Sequence, residues 1–210
     1  MSGIVLSLFD LTGNMVRPWA EAGYECICVD IQQPPGWGEF GGDGWKAKTF
    51  GGDIRNWLPP REEYAFVFAF PPCTDQAVSG ARWFQDKGLA GLAGAVELVE
   101  RSRDIAEWSG AEWIIENPVS TMSSCWRKPD HSFHPGDYAD FCLSDNYSKK
   151  TCLWASPGVV MPKPARSGDL PPMDDRIHKA PPGPGRANFR SATPMGFARA
   201  FFEANAGAIA

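Results

Sequence analysis

A chain of 210 residues with a net charge of −5 has room for one domain of ordinary size and a real core, and its apolar and charged fractions are those of a soluble globular protein. No stretch approaches the roughly 20 apolar residues of a membrane span, and no basic segment leads into an apolar one at the amino terminus, so neither a membrane protein nor a secreted one is expected. Six scattered cysteines in a chain expected to be cytoplasmic read as free thiols rather than as a disulfide framework. Nine Trp, nineteen Pro and twenty-two Gly point to long, aromatic-bearing loops of the kind that make pockets. Charge is uneven: residues 1–119 carry −8 and residues 120–210 carry +3, so a polyanion should meet the second half. Arg127, Lys128, Lys149, Lys150, Arg176, Lys179, Arg186 and Arg190 can supply phosphate contacts, although solvated surface charge is the commoner explanation of such a spread.

Ile4 to Phe9 is a β-rich apolar run that stops at Asp10-Leu11-Thr12-Gly13-Asn14, and a helix is predicted from Asn14 to about Ala22, closed by Gly23. A strand, a tight turn and a helix amino terminus open a nucleotide-binding βαβ unit, where backbone amides can meet a carboxylate or phosphate. One glycine stands where dinucleotide fingerprints have three, which argues against a pyrophosphate cradle. A second strand, Glu25 to Val29, ends at Asp30, either an acceptor for ribose hydroxyls or a plain solvent-facing strand end. Proline and glycine break both periodicities in residues 32–48, which are predicted to form an irregular loop. Its aromatics Trp37, Phe40 and Trp45 either stack on bases or pin the loop to the core. Gly52-Asp53-Ile54 comes next, with an acid that could reach an adenine amino group, or a common turn.

The apolar run Ala65 to Phe70, bounded by prolines, reads as a buried central strand that ends abruptly at Pro71-Pro72-Cys73-Thr74. Open α/β proteins bind ligands at the carboxyl ends of such strands, and here that position carries a thiol, the best nucleophile among side chains. The alternative is a buried, inert cysteine. Gln76 to Lys87 is expected to cap the pocket. Leu92, Ala95, Val96, Val99 and Ala106 recur at helical spacing over residues 92–109 and predict a crossover helix ended by Gly110. Glu112 to Pro118 is a second short buried strand with Glu116 and Asn117 at its exit, so Cys73 and Glu116 should converge at one rim of a parallel sheet. Beyond Val119 loops dominate, with Thr151 to Ala155 the clearest strand, a proline-rich run over residues 157–185, and a helix from Thr193 to Ala206 with Pro194 in its first turn. Cys125, His131, His134 and Cys142 are zinc-ligand types without a tight Cys-x-x-Cys pair, and no metal is expected.

Taken in order, these residues resemble the DNA (cytosine-5) methyltransferases, in particular small members carried by phages and prophages. Phe9 to Gly13 is similar to the family's cofactor loop, Asp30-Ile31 to its second motif, Gly52-Asp53-Ile54 to its third, Pro71-Pro72-Cys73 to its nucleophile motif and Glu116-Asn117-Pro118 to its Glu-Asn-Val motif. The fuller pattern takes in Ala77 to Phe84, Arg127 to Asp130, Lys149 to Trp154 and Arg190-Ser191. The resemblance implies a single doubly wound, mostly parallel α/β domain, with residues 1–118 as cofactor and catalytic core and residues 119–210 as a loop-rich, substrate-facing part with a closing helix. It implies S-adenosylmethionine held by Phe9, Asp10, Leu11, Thr12, Gly13, Asp30, Ile31, Asp53, Ile54 and Pro71. Cys73 and Glu116 would be catalytic, and Pro72, Thr74, Asn117, Lys149 and Lys150 would contact substrate. Leu11 stands where the cofactor loop has glycine, Lys149 and Lys150 are the nearest equivalents of a missing arginine-rich motif, and there is no room for the large variable region that reads DNA sequence.

The chemistry asks for the same residue types. Carbon 5 of cytosine is a poor nucleophile until a thiolate adds at carbon 6, and an acid at ring nitrogen 3 stabilises the charge that then develops. DNA is the leading expected partner, with residues 32–48 and 119–148 the candidate invading loops if the base is flipped from a duplex. A free cytosine nucleotide as acceptor, or a catalytically silent nucleotide- or nucleic-acid-binding relative, are the alternatives. No membrane or obligate protein partner is expected.

Overall fold

The computed structural model describes residues 3–77 and 84–208. Its centre is a set of strands whose side chains alternate between two faces, as a pleated strand requires. In β1 (Ile4–Leu8), Val5 points to one face, and Ile4, Leu6 and Leu8 to the other. In β2 (Glu25–Val29), Cys26 and Cys28 oppose Ile27 and Val29, and in β5 (Tyr64–Ala69), Phe66 and Phe68 oppose Val67 and Ala69. Both faces are apolar, so each must be covered, which is why these strands read as continuous apolar runs.

On one face α1 (Arg17–Glu21) and α6 (Met195–Asn205) form the cover, where Trp19 meets Phe66, Phe68 and Phe202, and Phe201 packs edge-on against Phe66 and Phe68. On the other lies α2 (Phe84–Ser109), which is interrupted at Gly88 (φ 63°) and buries Ala95, Val99, Ile105 and Ala106. Val96, predicted for the apolar stripe, is exposed. Arg101 ties α2 to the segment before β5 by donating to the carbonyls of Ile54 (3.1 Å) and Trp57 (2.8 Å).

With β3 (Gly36–Gly42), β4 (Trp45–Gly51), β6 (Glu112–Pro118), β7 (His131–Phe133) and β8 (Thr151–Ala155), the strands make one eight-stranded sheet in the order β3-β4-β2-β1-β5-β6-β8-β7. The run β4-β2-β1-β5-β6 is parallel; β3 is antiparallel to β4, and β8 is antiparallel to both β6 and β7. The chain moves from β1 to β2 on one side and returns to β5 on the other, so the strand order reverses at β1 and a crevice opens outside the carboxyl ends of β1 and β5. Helices cover both faces, giving the α/β architecture that the sequence implied. No helix among the described residues is long and apolar enough to cross a membrane.

Two expectations fail. Residues 32–48 are not an irregular loop: β3 and β4 pair as a hairpin with Gly42 opposite Trp45, leaving Asp43-Gly44 as a two-residue turn with Gly44 at φ 82°. Asp-Gly is the favoured pair for such a turn. The region after Val119 holds more than one strand: besides β8 it contains β7, α3 (Met122–Cys125), α4 (Arg176–Lys179) and α5 (Arg186–Ser191). Within the Ala77-to-Phe84 part of the resemblance, residues 78–83 lie outside the described residues, so the expected pocket cap over Gln76 to Lys87 does too in that part.

The hairpin folds back on the turn after β1. Phe40 and Trp45 meet edge to face at 5.4 Å, and the guanidinium of Arg17 lies over the Trp45 ring. Gly13 sits beneath them at φ 69°, where an added Cβ would fall 2.4 Å from the Phe40 ring. These two aromatics therefore pin the hairpin to the core, whereas Trp37 packs on Phe50 and stays 55% exposed. Gly13→Ala is expected to destabilise the fold by about 1–3 kcal/mol, through the left-handed backbone and the clash. In urea denaturation, adding Phe40→Ala should recover part of that loss, a coupling that independent sites do not show.

Candidate active site

The chain leaves β1 through Phe9, the one non-glycine with positive φ (59°) among the described residues. Its amide donates to the Val29 carbonyl at 2.6 Å, and the strained turn leads into Asp10. The carboxylate of Asp10 is buried and serves the loop itself: it accepts from the amides of Thr12 (3.1 Å) and Gly13 (2.7 Å) and from the hydroxyls of Thr12 and Ser7. Burial holds its pKa above the usual value, against the lowering effect of those hydrogen bonds. Asp10 is thus an organiser of the predicted cofactor loop. Leu11 has its carbonyl bonded by Gln33, and Asn14 donates to the carbonyl of Thr193 at 2.8 Å, joining the loop to the carboxyl-terminal part.

Asp30, at the end of β2, is 7% exposed and accepts the Gln32 amide at 2.8 Å, and burial raises its pKa. Asp30 and Phe9 to Thr12 line one narrow cleft with Gln32, Phe70, Asn188, Ser191, Ala192 and Thr193. Ile31 is exposed at 68% and is not among the lining residues, nor are Asp53 and Ile54. Asp53 is occupied by Arg55, whose hydrogen bonds hold its carboxyl below the usual range, and Ile54 is a core residue.

The surroundings of Cys73 are built from the exits of β5 and β6. Pro71 is buried, and its carbonyl accepts from the side-chain amide of Asn117 at 3.0 Å. The amides of Gln76 and Ala77 bond back to the Cys73 carbonyl, which closes a turn around the thiol, and Pro72 and Thr74 are exposed beside it. Asn117, expected to touch substrate, is fully buried and holds the Pro71 loop instead. Around these exits Gln76 Oε1, Glu116 Oε1, Asn117 Oδ1, Ser120 Oγ and Thr121 Oγ1 are buried without a hydrogen-bond partner among the described residues. Such orphans are uncommon in folded proteins, and here several gather at the exits of β5 and β6.

Glu116 is 15% exposed, and Lys149 reaches it from the start of β8, with Nζ 3.8 Å from the orphaned Oε1, too far for a hydrogen bond. Burial pushes the Glu116 pKa up, opposed by the Lys149 charge. The Cys73 thiol is raised first by burial and then by the nearby Glu116 charge, while Lys149 and Arg190 lower it. A neutral Glu116 therefore removes one obstacle to ionising Cys73. Lys150 is exposed and acts on Cys152, not on Cys73, so only one of the two predicted lysines belongs to this centre.

Sequence reasoning missed the part played by α5, which brings Arg190 toward Cys73 and Asn188 and Ser191 onto the cleft. The sequence had marked Arg190-Ser191 within the resemblance, and Arg186 and Arg190 among possible phosphate contacts, without placing them at either the cleft or Cys73. Cys125, His131, His134 and Cys142 do not assemble: among the described residues no three potential metal-ligating side chains come together. A second cavity, of about 640 Å³, lies at the opposite end of the sheet near Ile4, Glu25 and Lys48, and holds none of these chemical groups.

For an adenosine-bearing cofactor the donor set of the cleft fits, because Asp30 supplies a buried carboxylate for a diol. The room does not fit while α5 lies across it: the cavity is about 40 Å³, and the Asn188 amide donates to Gln32 Oε1 at 3.0 Å over the opening. No protein-family model and no curated protein matches the chain.

Because burial raises the folded-state pKa of Glu116 above its ordinary 4.5, its neutral form is the one the fold favours. That contribution is whole below the unfolded pKa and is lost as pH rises through the folded one. Glu116→Gln, which stays neutral, is expected to be more stable than the parent at neutral pH, with the advantage vanishing below about pH 4.5. Denaturation midpoints across pH check this, and a pH-independent gain would show that Glu116 ionises freely in the fold.

Proposed function

We propose that the protein transfers a methyl group from S-adenosylmethionine to carbon 5 of a cytosine, through a covalent adduct on Cys73. The observation that carries this reading is the buried, unpartnered Oε1 of Glu116 beside Lys149, at the same rim as Cys73 and next to the cleft of Phe9 to Thr12 and Asp30. It agrees with the resemblance in the Pro71-Pro72-Cys73 and Glu116-Asn117 motifs. Asp30 and the Phe9-to-Thr12 turn would hold the cofactor, once α5 yields. When bound, S-adenosylmethionine supplies an electrophilic methyl group on a positively charged sulfur.

Cys73 loses its proton, aided by the positive charges of Lys149 and Arg190, and the thiolate adds to carbon 6. Glu116, held in its acid form by burial, protonates or hydrogen-bonds ring nitrogen 3 as negative charge develops there. Carbon 5, now enamine-like, takes the methyl group. Water takes the carbon 5 proton, its bonding pair re-forms the double bond to carbon 6 and expels the Cys73 thiolate, and nitrogen 3 returns its proton to Glu116. DNA is the leading carrier of the cytosine. One observation favours a free nucleotide: residues 36–42 and 45–48 of one candidate invading loop lie in strands β3 and β4, and Phe133, Tyr138 and Ala139 of the other are buried.

Calorimetry is expected to detect binding of S-adenosylmethionine or its demethylated product, and Asp30→Ala should weaken it by about 1–3 kcal/mol if a buried hydrogen bond is lost. Failure of the folded protein to bind either molecule would sink the cofactor assignment.

A 5-fluorocytosine substrate has no carbon 5 proton to lose, so the adduct should be trapped and seen by mass spectrometry. Cys73→Ser should abolish trapping and turnover, and Glu116→Gln should cripple turnover while leaving cofactor affinity nearly unchanged. Full activity in either variant would break the mechanism; tight cofactor binding with no adduct on any cytosine substrate would favour a silent sensor.

A further inference from the structure

Arg186 and Arg190 lie one turn apart on α5, and so on one face of it. The Nε atoms of both are buried, and neither is hydrogen-bonded among the described residues. Both side chains are half-buried, and in each the buried Nε–H is a donor left without an acceptor, which is costly. On the same helix Asn188 and Ser191 line the cofactor cleft, and the charge of Arg190 is felt at Cys73. The planar guanidinium fork matches the oxygens of a phosphate, and arginine is the side chain best suited to it.

Resting on the cytosine-directed reading above, we propose that Arg186 and Arg190 receive the phosphate group of the acceptor, a cytosine nucleotide whose base lies between Cys73 and Glu116. α5 buries no residue of its own and is flanked by Pro181-Pro182-Gly183-Pro184-Gly185 and by the non-helical Ala192 (ψ 129°). A phosphate bridging the two arginines would dock this weakly held helix against the site. The phosphate can belong to a free nucleotide or to a single-stranded chain, since the two loops offered for invading a duplex contribute strands and buried core residues to the body of the fold.

The test titrates the full chain with dCMP, with deoxycytidine, and with a single-stranded oligonucleotide containing one cytosine, at one fixed salt concentration. Charge-assisted contacts to one phosphate should make dCMP bind at least about tenfold tighter than deoxycytidine. Arg186→Gln and Arg190→Gln should each remove most of that preference while the protein remains folded and still binds deoxycytidine, and Arg190→Lys should keep part of it. An oligonucleotide preference over dCMP that also disappears in both glutamine variants would assign the phosphate to a chain. Equal binding of dCMP and deoxycytidine, or a preference that survives the double substitution in folded protein, would overturn the proposal. Methyl transfer is read separately by 5-fluorocytosine trapping: no adduct but arginine-dependent dCMP binding would refute the methyltransferase reading alone, and an adduct without phosphate preference would refute the phosphate site alone.

Discussion

The contact on which the site depends is the hydrogen bond from the Asn117 side chain to the Pro71 carbonyl. β5 and β6 are neighbours in a parallel ladder, so their exits lie side by side, but parallel pairing alone does not set the shape of the turn at each exit. Two prolines remove donors and restrict the backbone at the β5 exit, and the buried amide of Asn117 fixes that exit against β6. Cys73 therefore stands on a short rigid turn, held from a neighbouring strand. The same strand carries Glu116 one residue earlier, on the opposite face of the pleat from Asn117. One β-strand thus both holds the thiol's loop and supplies its acidic neighbour.

Burial holds both members of that pair above their ordinary values, and the neighbouring positive charges oppose it only in part. Burial alone would make Glu116 a permanent acid and Cys73 a permanent thiol. Lys149 tempers both, because β8 runs antiparallel to β6 and brings Lys149, two residues before its first position, next to the Glu116 end of that strand. Arg190 adds a positive charge from a different part of the chain. The Glu116 charge raises the thiol and the Lys149 and Arg190 charges lower it, so its ionisation answers to groups from three parts of the chain.

Much of the sheet could be read in the sequence because its strands are buried on both sides. Ala65 to Phe70 and Glu112 to Pro118 stand out as apolar runs between breakers, and the crossover helix shows its period and its Gly110 stop. The β3–β4 hairpin escaped because Gly36, Gly38, Gly41 and Gly42 erase the alternation by which strands are recognised, although Asp43-Gly44 carried the turn signal. β7 has three residues, too few for any pattern. Within the site, Cys73 and Glu116 could be brought together from topology alone. The use of Asp10 and Asn117 in holding loops, the capture of Asp53 by Arg55 and the separation of Lys149 from Lys150 are decided by side-chain geometry, which residue order does not contain.

β3 ends the sheet, and four glycines in its seven residues leave few side chains to fix how it aligns with β4. Such a strand has weak intrinsic register. Trp37 against Phe50 and Phe40 against Trp45 set the alignment instead, and Phe40 also closes over Gly13. A slip of one residue would turn Phe40 to the far side of the sheet and uncover the turn that Asp10 organises. Edge-strand alignment, tens of residues away in the chain, is thereby made a condition for the shape of the first loop.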